Sequence, residues 1–179
     1  MRYGIYYSFN HEAEAVLQDL RKTLAYEVAG VPDVKGKMLP HLTLMVFDDV
    51  NHASVVERFE RFSGSLDGFV LTLKSINSFP GRRNVVYVEP LISDTLRTSY
   101  LHCLSSFSSS AIVPSYRDPA GWKPHITLAK NLDIHTCHAA KVIAGREWVP
   151  MEAEVRRIGL INVQKALEVL ALKILLVRK

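Results

Sequence analysis

The chain of 179 residues is 48% hydrophobic and 22% charged, which suits one globular domain with a sizeable core and excludes a disordered or collagen-like chain. Its 22 lysines and arginines against 18 aspartates and glutamates leave a net charge of +4, which favours an anionic partner without reaching the charge density that marks nucleic-acid binding by itself. No signal-peptide pattern opens it, no apolar run reaches the roughly 20 residues of a membrane span, and Cys103 and Cys137 are too few for a disulfide framework, so a cytoplasmic protein with reduced thiols and no membrane partner is expected.

In chain order, residues 3–9 read as a strand, dense in aromatic and β-favouring side chains, with Asn10 placed to cap the first helix. In that helix Ala15, Leu17, Leu20, Leu24 and Val28 recur at helical spacing, with Glu12, Glu14, Asp19, Arg21 and Lys22 on the polar side. Gly30 and Pro32 close it, and a loop leads to a strand over 41–47. A second helix is predicted over 53–62 with Asn51 as its cap, then strands over 69–76 and 84–88 joined as a hairpin through the turn-rich 79–83. A third helix covers 93–107, and 114–124 is a loop rich in Pro, Gly, Tyr, Arg and Trp. A strand at 124–130, a helix at 133–144 and a strand at 155–163 complete the regular elements. The tail is open: 166–173 suits a helix by propensity, whereas 174–177 equally suits a buried strand.

One pattern stands out. Pro40-His41-Leu42-Thr43-Leu44 recurs 84 positions later (125 − 41) as Pro124-His125-Ile126-Thr127-Leu128. In a strand, residues i and i+2 share a face, so each copy offers an imidazole and a hydroxyl together while its leucine or isoleucine points to the core. Two imidazoles suit in-line attack at phosphorus, one taking a proton from the nucleophile and the other giving one to the leaving oxygen, and histidine titrates near neutrality. A single His-x-Thr describes any half-buried strand, but a Pro-flanked duplicate does not.

On these motifs the chain resembles the 2H phosphoesterases, which include the 2′-5′ RNA ligase-like proteins and cyclic nucleotide phosphodiesterases and are named for two His-x-Thr/Ser motifs. The resemblance implies an α+β fold: a single bilobal domain over residues 1–179, with two pseudosymmetric lobes carrying antiparallel sheets and outer helices around a central cleft. It makes the C-terminal segment a strand, and it makes His41, Thr43, His125 and Thr127 the catalytic set, working without metal or cofactor. His125 becomes the base for water attack and His41 the acid for the leaving oxygen, with the roles exchanged in the opposite direction. Lys130 stands where the RNA ligase-like branch often has Arg, although Val46-Phe47-Asp48 replaces that branch's Phe-Leu-Gly type segment and its late Ser and Gly signature is missing.

The loop before the second motif supplies further candidates for substrate binding: Tyr116 and Trp122 to stack a base, and Arg117 and Lys123, with Lys130 beyond the motif, to meet phosphates. Phe79, Tyr87, Arg82 and Arg83 are secondary candidates of the same kinds. The expected substrate is an RNA end or nucleotide phosphodiester, a nucleoside 2′,3′-cyclic phosphate above all, with no obligate protein partner. The rival reading is an RNA- or nucleotide-binding module that keeps the cleft without turnover. Other patterns fall away. Residues 30–38 resemble a P-loop but have a spacer too many and Met38 in place of Ser or Thr, His135 and His138 lack further ligands for a zinc site, and no Gly-x-Ser-x-Gly elbow is present.

Overall fold

The computed structural model describes residues 1–32, 38–81, 84–164 and 168–177. Strand β1 (Arg2–Phe9) leads through Asn10 into helix α1 (His11–Glu27), whose Leu17, Leu20 and Leu24 are buried as the helical spacing predicts, with Ala13 joining them in place of Ala15, which is exposed. Asn10 stands at the cap position, yet its Oδ1 accepts from the Glu154 backbone N–H instead of from α1, because a strand edge lies within reach. The first motif enters β2 (Leu42–Asp48), followed by α2 (His52–Gly64), which Asn51 caps through the Ser54 N–H. The hairpin β3 (Phe69–Phe79) and β4 (Asn84–Pro90) forms as expected, with Arg82 and Arg83 of its turn outside the described residues.

Helix α3 (Asp94–Ser106), capped by Ser93, leads to a two-residue strand β5 (Ala111–Ile112) and a single helical turn α4 (Pro114–Arg117) inside what composition alone reads as loop. Pro114 at the first helical position supplies the preset φ for that turn. The second motif enters β6 (Ile126–Leu132), then α5 (Ile134–Glu147), capped by Asp133, then β7 (Met151–Asn162) and β8 (Glu168–Ile174). The tail is therefore a strand: pairing of β8 with β7 overrides its helical propensity. Cys103 and Cys137 are buried and unpaired, and burial pushes both thiols above their ordinary pKa.

All named strand pairs are antiparallel and join one sheet in the order β1-β2-β6-β4-β3-β7-β8, and β1 also pairs with β7. Six strands thus close a circuit. Exchanging β1 with β4, β2 with β6 and β3 with β7 maps that circuit onto itself, so the two halves of the chain are pseudosymmetric units of strand, helix, motif strand, helix and strand. The helices obey the same exchange: α1 packs on β6 and α5, while α3 packs on β2 and α2. Each half's first helix therefore covers the other half's motif strand. Apolar faces of Tyr3, Ile5, Tyr7 and Phe9 on β1 and of Val86 and Val88 on β4 meet these helices in the core. The opposite face of the sheet is left for the motifs.

Candidate active site

The two motif strands touch at one ladder pair, Leu42 opposite Ile126. Continued antiparallel, that register sets His41 beside Thr127 and Thr43 beside His125. Leu42 and Ile126 are fully buried, so alternation turns both histidines and both threonines to the other side, where all four are half-buried. Facing residues on neighbouring strands have Cβ atoms about 5 Å apart. The four residues singled out by the repeat are thus gathered at one seam.

The two imidazoles are held alike. His41 Nδ1 lies 2.8 Å from the Leu39 carbonyl and His125 Nδ1 lies 2.9 Å from the Lys123 carbonyl, each two residues upstream. A carbonyl only accepts, so Nδ1 carries the proton in each ring, and the neutral form leaves its lone pair on Nε2. Each ring is also walled by a tyrosine from the strand beside its own. Tyr6, paired with Thr43, meets His41 edge-on at 5.6 Å; Tyr87, paired with Thr127, meets His125 at 5.4 Å. Phe79 stacks on Tyr87 and also presents itself to His125.

Charge makes the halves unequal. Burial is the largest cause pushing the His41 imidazole down to about 4; the hydrogen bond to Leu39 opposes this, and the charges of Arg21, Lys130 and His125 add to it. His125 is lowered by burial, with the Lys123 carbonyl opposing. At about 4, the His41 ring is neutral at pH 7, and His125 is shifted in the same direction. The influence of Lys130 and His125 on His41 places each of them within electrostatic reach of that ring. Lys130 is exposed and is followed by Asn131 at φ 61°, a left-handed conformation that asparagine tolerates and that coincides with the register shift of β6 against β4.

The loop candidates divide. Trp122 is corrected to a core residue: it is 5% exposed, and Tyr100 stacks on one face of it at 4.0 Å in a parallel arrangement. Tyr116 is half-buried against the core, and its carbonyl accepts from the Tyr100 hydroxyl. Arg117 is exposed and leans back toward the Ile112 carbonyl at 3.4 Å. Lys123 is exposed, and its backbone orients His125. Among the described residues no group of three His, Cys, Asp or Glu is placed to hold a metal, and His135 and His138 are exposed.

Sequence reasoning missed Arg21, assigned to the polar side of α1. It is 6% exposed and donates to the Thr127 carbonyl through Nε (3.0 Å) and Nη2 (2.6 Å) and to the Met38 carbonyl through Nη1 (3.1 Å). Tyr6 was missed too, though the alternation of β1 sets it on the face opposite Ile5 and Tyr7.

Comparison with known proteins agrees with this geometry. The family model described as the 2′-5′ RNA ligase superfamily matches residues 8–166. No curated protein matches in sequence. Among solved structures, TT0787 of Thermus thermophilus superposes with a TM-score of 0.65 at 18% identity, covering 98% of each chain. E. coli LigT complexed with 3′-AMP gives 0.64 at 17% identity over 97% of this chain and 96% of that one. Kluyveromyces marxianus Usb1 gives 0.53 at 10% identity over 98% of each. At these identities the structures speak for the fold, and the family match, spanning most of the chain, supplies the rest: the protein belongs to the 2′-5′ RNA ligase superfamily of 2H phosphoesterases.

Proposed function

We propose that the protein is a phosphodiesterase that opens a nucleoside 2′,3′-cyclic phosphate, or cleaves a related phosphodiester at an RNA end, by acid–base catalysis between His41 and His125. The observation that carries this reading is the twofold-repeated imidazole, with Nδ1 anchored to a backbone carbonyl and Nε2 left for chemistry, at a single seam. In ring opening, His125 Nε2 takes a proton from water, the water oxygen bonds to phosphorus, the bond from phosphorus to one ribose oxygen breaks, and His41 protonates that oxygen. The reverse exchanges the roles. The hydroxyls of Thr43 and Thr127 donate to the phosphoryl oxygens as negative charge grows on them. Lys130 and Lys123 offer cations to the phosphate, and Phe79 and Tyr87 an aromatic wall to the nucleoside.

A proton has to reach the acid, since burial lowers the proton affinity of both imidazoles. The phosphodiester anion supplies the means: its charge opposes Arg21 and Lys130 and raises the affinity of both rings for a proton. The pH optimum of kcat/KM, which reports the free protein, therefore lies below that of kcat, which reports the complex. That E. coli LigT has been solved with 3′-AMP supports a nucleotide-sized ligand. The test is product analysis over 2′,3′-cyclic nucleotides and short oligonucleotides ending in a cyclic phosphate, with EDTA present. Formation of a single monophosphate isomer is expected; binding without turnover would make the protein a nucleotide-binding module, and activity lost to EDTA and restored by a divalent ion would make the chemistry metal-dependent.

A further inference from the structure

We propose that Arg21 is the positioning residue of this site, its guanidinium spanning the seam between the two motif strands and setting their separation, with its charge facing His41. Little else ties these strands together. Between β2 and β6 there is one ladder pair, whereas β1–β2 and β4–β6 share several. Arg21 adds three hydrogen bonds at that point, two to the carbonyl of Thr127 inside the second motif and one to the carbonyl of Met38, three residues before His41. The rigid planar fork suits this task in a way that a lysine cannot match.

The second observation is the environment of the charge. Arg21 is nine-tenths buried, and burial pushes its pKa down to about 10, so it stays charged at neutral pH. Among the described residues no carboxylate pairs with it. A buried charge is only weakly screened by solvent, and in this fold the field of Arg21 falls on His41. The other groups acting on that ring are Lys130 and His125 from the second motif strand and its approach, and the edge of Tyr6 from β1. Removing the Arg21 charge therefore leaves His41 easier to protonate, and replacing the fork alone leaves the strands less firmly spaced.

The catalytic consequence of Arg21 rests on the acid–base reading, whereas the electrostatic one does not, and the test separates the two. His41 and His125 ring protons are titrated by NMR in the wild type, Arg21→Gln and Arg21→Lys, alongside kcat and KM on a 2′,3′-cyclic nucleotide. In Arg21→Gln the His41 midpoint moves up toward the ordinary histidine value and moves more than that of His125. In Arg21→Lys the charge keeps the His41 midpoint near wild type, while kcat falls about tenfold with KM changed less than about twofold, since a point charge cannot hold both carbonyls. A His41 midpoint unmoved in a natively folded Arg21→Gln overturns the electrostatic role, and wild-type kcat in Arg21→Lys overturns the spacing role. If the Gln variant does not fold, Arg21→Met carries the same His41 titration, and the Lys variant decides the spacing role. Absence of turnover in the wild type would defeat the proposed function alone, leaving the titration to judge Arg21.

Discussion

At the scale of single residues, the strongest constraint near the motifs is the contact between Tyr6 and Gly159. A Cβ on Gly159 would fall among the atoms of the Tyr6 ring, so only glycine lets β7 run beneath that ring and keeps it edge-on to His41. Gly159→Ala is expected to push Tyr6 aside, costing about 1–3 kcal/mol of stability and lowering kcat, as chemical denaturation and steady-state kinetics on one sample would reveal. Unchanged values would show that the ring has room to yield. Trp122 makes the contrasting case. Its stack on Tyr100 belongs to the core, so Trp122→Ala should cost about 3–5 kcal/mol, while Trp122→Phe should leave KM for a cyclic nucleotide where it was. A raised KM in the Phe variant would return Trp122 to the substrate.

Elements hold their places through their ends. Asp49, just past β2, accepts from the Asn51 N–H, the Ser110 hydroxyl and the Arg58 guanidinium, tying the motif strand to α2 and to the approach to β5. Burial would raise its pKa, but these three partners together hold the carboxyl down at about 2. A carboxyl below its unfolded value of 3.8 adds stability that is present above pH 3.8 and lost as pH falls through 2, an amount of about 2 kcal/mol by linkage. Asp49→Asn should remove that acid-sensitive portion, which urea titrations between pH 2 and 5 would resolve. Helix and strand periods, turn residues and the cap Asn51 were legible in the sequence because each is a local signal, whereas Asn10, read as a cap, turns its side chain to Glu154. The fate of 168–174 was not, since a strand there depends on its pairing with β7 and not on its own propensity, and the one-turn α4 hid inside a composition that reads as loop.

For the whole molecule, the family resemblance carried by the duplicated motif implied two pseudosymmetric halves, and the structure joins them in one sheet, where a circuit of strands that maps onto itself brings residues 84 positions apart to one seam (125 − 41). What the repeat could not foretell is how the halves differ. Arg21 reads as a surface charge by periodicity and becomes a buried brace only because α1 crosses onto β6, and Trp122 reads as a ligand platform until Tyr100 is found against it. The site also leaves its mark on stability. With His41 held near 4 against an unfolded value of 6.5, the unfolded chain binds more protons between those limits, so stability is lost as pH falls from 6.5 toward 4, by up to about 3 kcal/mol. His41→Asn should flatten that slope in thermal or chemical melts. The central claim, that one imidazole acts as base and the other as acid, is tested most directly by kcat for a 2′,3′-cyclic nucleotide in His41→Ala, His125→Ala and the double variant. Each single change is predicted to lower kcat on the order of 10²–10⁴-fold with a smaller effect on binding, and the double variant to lose less than the product of the two. Near-wild-type turnover in either single variant would contradict it.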